Sequence, residues 1–241
     1  MWTMQKEIER KYLECERMSI FLILMMSGGF MGSYTYLLKG GVFCNAQTSN
    51  IMLLGLSLGT MQWKRALYLL LPISAYFLGA VVSEILPVYV RKRELLRWDT
   101  LLVGIEILVL VVLGFLPDRV PEQVCQVSIN FICSMQYNTF RQAQGIPMAT
   151  TFCTNHLRQT GIHVAKWIRK RDIKFLKRSQ RHLEMLISFV VGAALGAVLC
   201  NLAGNRAIWG AAGLLALAFI DLLRADLGRE KGKLYQVPAG H

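Results

Sequence analysis

The stretch Phe43-Cys44-Asn45-Ala46-Gln47-Thr48-Ser49-Asn50-Ile51 interrupts otherwise hydrophobic sequence, and Ala149-Thr150-Thr151-Phe152-Cys153-Thr154-Asn155-His156-Leu157 does so again. Superposing Thr48 on Thr154 aligns Ile51 with Leu157 and Gly55 with Gly161 without a gap. Apolar, aromatic-rich segments precede both copies. Gly79-Ala80 and Gly192-Ala193 follow them at similar distances. A duplicated membrane unit with a polar break in each half is the signature of many transporters.

Composition places the chain in lipid. Its 241 residues are 54% hydrophobic and 17% charged, with a mean hydropathy of +0.40; a soluble domain carries about 25% charged residues. The formal net charge of +12 comes from basic loops, notably 91–93 and 166–181. Basic loops beside membrane helices follow from the positive-inside rule, with anionic headgroups as a second attraction. Nucleic acid is not an expected partner. The six cysteines, Cys15, Cys44, Cys125, Cys133, Cys153 and Cys200, form no C-x-x-C pair or zinc spacing and read as small hydrophobes. No metal or cofactor is expected.

Six stretches are long enough for the roughly 20 residues that a bilayer requires: 18–38, 66–87, 100–117, 123–140, 185–201 and 207–223. Trp63, Trp98, Trp167 and Trp209 fall at or near their ends, as headgroup anchors do. Lys6, Glu7, Glu9, Arg10, Lys11, Glu14, Glu16 and Arg17 form a mixed-charge leader before an uncleaved first span. Two shorter stretches, 46–61 and 147–165, are each either a further crossing or a re-entrant half-helix. With both re-entrant, the loops 91–97 and 166–181 and both termini face the cytoplasm, which the charge rule favours. Three spans per repeat then make the repeats inverted. The expected fold is an all-α membrane protein of about six spans and two broken helices. Its parts are a tail 1–17, repeat one 18–117, repeat two 118–223 with the basic loop 166–181, and a tail 224–241.

The hinge polar residues have two readings. Asn45, Gln47, Thr48 and Asn50, with Thr151, Thr154 and Asn155, can replace the hydrogen bonds that a helix break frees. They can equally bind a ligand or ion beside a half-helix dipole. Both readings stay open. His156 and Arg158 distinguish the second hinge; Arg158 either favours an anionic solute or snorkels to the cytoplasmic face. Glu106, deep in the third span, is a candidate coupling or relay group. Glu84 and Asp221 sit nearer span ends and read as solvated. Gly79 with Ser83, and Gly192 with Gly196, are small-residue patterns for close helix packing and candidate faces for a homo-oligomer.

The first hinge resembles the YoaK-like family of bacterial multi-pass membrane proteins, a domain of unknown function. Val42, Phe43, Gln47, Thr48, Asn50, Leu53, Leu54 and Gly55 match its Val-Phe, Gln-Thr-Gly-Asn and Leu-Leu-Gly pattern. Thr150, Thr151, Thr154 and Leu157 match its second motif. Ser49 and the Asn155-His156 pair depart from the family's Gly and Gly-Asn. The resemblance implies an integral-membrane fold and names no substrate. The functional expectation is a cell-membrane transporter, not an enzyme, for an unknown small solute or ion, its site lying between the hinges. The alternative is a non-transporting assembly or immunity-type membrane protein.

Overall fold

The structure, a computed structural model, describes residues 12–93, 95–117 and 119–240; the leader charges Lys6 to Lys11 lie outside the described residues. After a 3-10 turn at Glu14–Glu16, the helices are α1 (Met18–Leu38), α2 (Gln47–Gly59), α3 (Trp63–Arg91), α4 (Trp98–Phe115) and α5 (Glu122–Thr139). A two-stranded hairpin, β1 (Gln142–Ala143) and β2 (Ile146–Pro147), leads to α6 (Thr154–Lys170), α7 (Ile173–Ala203) and α8 (Ile208–Leu227). Four helical stretches are long and apolar enough to cross a membrane: α1, α3, α4, and the run Ile173–Leu227 that joins α7 to α8. They mark a membrane protein.

The expected span 123–140 forms α5 but is not among these four. Its Gln126, Asn130, Ser134 and Gln136 lower its hydropathy, and all four are buried. Recurring at i, i+4 and i+8, the first three share one face. The bundle wraps a polar helix inside apolar ones. Their outward faces carry Leu67, Phe77 and Ile85 on α3, Leu108 and Val112 on α4, and Ile187, Val190 and Val198 on α7, all exposed.

Glycines set the closest approaches. Cβ atoms at Gly192 and Gly196 of α7 would meet the Met26 and Phe30 carbonyls of α1, so the two helices run parallel. Gly79 of α3 abuts Phe131 of α5, and Ser83 of α3 accepts from Asn138 of α5 at 2.9 Å, so these two are parallel as well. On α4, Gly104 meets Phe219 and Gly114 meets Trp209 of α8, an antiparallel pair. The small-residue faces suggested for a homo-oligomer are therefore occupied within the chain.

These directions gather the chain ends. One end, the near end, holds residues 12–17, the described part of the α3–α4 connection, the hairpin and the C-terminal segment. The far end holds the α1 C-terminus, the α4–α5 connection and the α7–α8 turn, where Lys39 Nζ donates to Asn205 Oδ1 at 2.5 Å. Because α7 parallels α1, the basic segment 166–181 lies at the near end; it is helical except at 171–172.

The near end is more ordered than a pair of tails. Arg97, read above as a loop charge, is buried: its Nε lies 3.2 Å from Asp99 Oδ2 and its backbone N–H donates to Asp226 Oδ2 at 3.0 Å. Burial opposes the Arg97 charge, but Asp99, Cys15 and Glu230 outweigh it and raise its pKa. Glu230 accepts from the Glu14 backbone N–H at 2.8 Å, and Arg229 pairs with Glu14. Burial pushes the Glu230 carboxyl above the usual carboxylate range. Trp98 is no headgroup anchor either; it is buried, with Nε1 donating to Thr139 Oγ1 at 2.8 Å. Glu84 and Asp221 are exposed, as read, Glu84 pairing with Arg141 at 2.8 Å.

Replacing Gly192 by Val should cost about 1–3 kcal/mol, the usual penalty for overpacking, because its Cβ would strike the Met26 carbonyl. Gly161 of α6 meets nothing within 4 Å, so Gly161→Ala should be neutral or stabilise by up to about 1 kcal/mol. Thermal unfolding of the purified chain in detergent checks both.

Candidate functional site

Gly28 stands near the midpoint of α1, and both polar hinges reach it. After α1 the chain reverses at Gly40 and Gly41, both at φ +68°, a left-handed conformation that glycine adopts without a Cβ clash. It then runs back along α1 until Asn45, buried, donates from Nδ2 to the Gly28 carbonyl at 3.0 Å. From there α2 runs for 13 residues, about 20 Å at 1.5 Å per residue. It hands over to α3 at the far end, where Tyr68 hydrogen-bonds Gln126. The second hinge comes from the near end. Its Thr150 carbonyl lies 3.0 Å from where a Gly28 Cβ would stand, so a side chain there would press on the hinge backbone and move it by a few tenths of an ångström.

Each hinge is closed by one side chain. Asn50 accepts from the Phe43 N–H at 3.1 Å and donates to the Phe43 carbonyl at 2.7 Å. His156 Nε2 faces the N–H and the carbonyl of Ala149 at 3.3 and 2.8 Å. Superposing Thr48 on Thr154 pairs Asn50 with His156 and Phe43 with Ala149, so aligned positions make the same brace. His156 thus does in the second hinge what Asn50 does in the first. The His156 Nδ1 also lies 3.0 Å from His182 Nδ1, so one ring supplies the proton and the other accepts it.

The remaining hinge residues divide. Gln47 Nε2 donates to Asn130 Oδ1 of α5 at 2.7 Å, and its Oε1 accepts from Asn50 at 3.2 Å. Thr48 and Thr154 are exposed. Asn155 accepts from Arg158 at 2.9 Å, and Arg158 is exposed. Among the described residues no hydrogen bond joins Gln47, Thr48 or Asn50 to Thr154, Asn155 or His156. The hinges converge instead through Asn45, Gly28 and Thr150.

Helix α5 ties the two hinges together. Gln126 Nε2 donates to the Lys39 carbonyl at 2.7 Å, Asn130 receives Gln47, and Gln136 Nε2 reaches the Thr150 carbonyl at 3.4 Å. Tyr76 of α3 lies beside Thr151 and within electrostatic reach of Cys44 and Cys133. Cys133 lies against Cys44 and in reach of Glu106. Glu106 is fully buried, and neither carboxylate oxygen has a hydrogen-bond partner. Sequence reading singled out Glu106 but passed over Gln126, Asn130, Gln136 and Tyr76. The signal available was the Gln-x3-Asn-x3-Ser spacing of α5.

The braces carry a test. Asn50→Ala leaves the part-buried N–H and carbonyl of Phe43 without their side-chain partner and should cost about 1 kcal/mol. His156→Asn should retain more stability than His156→Ala, since asparagine makes this brace in the first hinge. Equal loss in the two His156 variants, by thermal unfolding, would contradict the equivalence.

No curated protein and no solved structure matches the chain. A family described as protein of unknown function (DUF1275) matches residues 20–220, which covers both hinges and every helix from α1 to most of α8 and agrees with the YoaK-like resemblance. The chain therefore belongs to this family of proteins of unknown function.

Proposed function

We propose that the chain is a small-solute or ion transporter of the cell membrane, built from two inverted repeats, α1–α4 and α5–α8. In this reading α1, α3, α4, α5, α7 and α8 cross the bilayer, while α2 and α6 are re-entrant. Three features support the repeat. The contact of Gly192 with Met26 is answered by that of Gly79 with Phe131; α4 packs on α8; and Asn50 and His156 make one brace in two places. With an odd number of crossings per repeat, the second is inverted. The basic segments 91–97 and 166–181 make the near end, and both termini, cytoplasmic.

Glu106 carries the functional reading. An ionisable side chain at membrane depth is expensive, and such residues mark ion and proton pathways. Here the carboxyl has no hydrogen-bond partner among the described residues and lies in reach of Cys133 on α5, the helix that both hinges touch. A proton or cation taken up by Glu106 would supply what the protein withholds. Rocking of one repeat against the other would then expose it to alternate ends. The non-transporting assembly or immunity-type reading draws support from one observation: the hinge amides are spent on bracing the fold.

Vesicles containing the purified chain, screened for uptake with and without a membrane potential or pH gradient, separate the readings. At least one solute or ion should move. Glu106→Gln should cut that flux about tenfold or more, as loss of a relay group does, with membrane insertion unchanged. If nothing moves, or Glu106→Gln transports normally, the assembly reading replaces this one. In a cysteine-free background, a cysteine introduced at Arg93 should react only from the cytoplasmic side; labelling from outside would reverse the topology.

A further inference from the structure

We propose that the far-end cavity binds the oxyanion group of a small soluble solute, with Lys39 as its counter-charge. The inference deepens the transport reading by naming a substrate class. The cavity, about 820 Å³, lies between the ends of α1, α4 and α7 and the starts of α5 and α8. Small-molecule sites run from about 300 to 1,000 Å³.

Lys39 carries the argument. It is only 7% exposed, yet among the described residues no carboxylate pairs with it. Its ammonium donates to Asn205 Oδ1, a neutral acceptor, and lies 5.6 Å from the Tyr34 ring. An ammonium has three donors, and Asn205 is the one hydrogen-bond acceptor of Lys39 among the described residues, which leaves two for a ligand. A buried charge lacking a counter-ion is strongly disfavoured, and an oxyanion entering the cavity would remove that penalty. Arg206, exposed and also lining the cavity, adds a second cation, against Glu122 as the carboxylate among the described lining residues. The opposite wall is apolar and aromatic, with Phe115 and Trp209 packed edge to face at 4.9 Å. Such a site suits a compact body carrying one carboxylate or phosphate.

The test is thermal unfolding of the full chain in neutral detergent, titrated separately with benzoate and with inorganic phosphate against chloride at equal ionic strength. A third arm uses a short-chain phosphatidylglycerol. At least one soluble probe should raise Tm saturably. Lys39→Met should weaken that response about tenfold or more, as removal of a buried charge partner does; Lys39→Arg should keep most of it. Should Lys39→Met fail to fold, Arg206→Gln serves as the second variant, with the response weakened several-fold. No saturable rise with either soluble anion, a rise unchanged in Lys39→Met and Arg206→Gln, or a rise with the lipid alone would overturn the proposal. Binding is read here without transport. A chain that binds an anion but moves nothing refutes only the transporter reading, and one that moves cations without binding either anion refutes only this one.

Discussion

A polypeptide that breaks its helices inside an apolar bundle must bond the freed backbone groups without water. Everything in the centre of this molecule follows from that constraint. Asn50 and His156 each close the loop that precedes them, Asn45 fastens the first hinge to α1, and Gln136 reaches the second. The cost of an unpaired buried amide is comparable to a whole hydrogen bond or more, so these side chains are not interchangeable with apolar ones of the same size. Gly28 completes the arrangement by absence: its missing Cβ is the space that the Thr150 carbonyl occupies.

The polar helix α5 shows how the bundle keeps such groups from lipid. Its amide side chains point inward to the end of α1 and to both hinges. The apolar α3, α4, α7 and α8 supply the outer surface. Among the described residues both Glu106 oxygens are buried without a hydrogen-bond partner, and in the same centre Gln126 Oε1, Gln136 Oε1 and the Thr150 and Thr151 hydroxyls also lack one. The unspent polar chemistry of the centre is thus shared by α4, α5 and the second hinge, and Glu106 is the part of it that can gain or lose a proton. The near end behaves differently: there Arg97, Asp99, Asp226 and Glu230 are paired across segments far apart in sequence, which pins the C-terminal segment to the start of the chain.

Much of this was legible in the residues, and the misses have physical causes. The two hinges stood out because polar runs in hydrophobic sequence have few innocent explanations; their alignment put Asn50 and His156 at equivalent positions, but His156 read as what sets the second hinge apart, and the shared brace was not foreseen. Which hinge residues meet was not legible. Thr48 and Thr154 align perfectly yet are exposed, while Asn45 and Thr150 make the central contacts, because the approach is set by Gly28 on a third element. Helix α5 read as an apolar span, since length and period do not report which face an amide takes. Arg97 and the C-terminal segment read as solvated loop and tail; burial of a charge depends on partners such as Asp226, more than a hundred positions away.

The central claim is that both hinges return to the middle of α1. Cysteine pairs in a cysteine-free background test it most directly, because a disulfide forms only when Cβ atoms are roughly 3.5–4.5 Å apart. Gly28→Cys with Thr151→Cys reports on the second hinge, where the introduced Cβ lies 3.4 Å from the Thr151 Cα, and Gly32→Cys with Asn45→Cys on the first, where it lies 3.7 Å from the Asn45 Cγ, the position a cysteine sulfur takes. Mild oxidation in membranes should cross-link both pairs within one chain. Cross-linking of neither, while Gly28→Cys paired with the surface position Thr154→Cys forms the bond, would contradict the account.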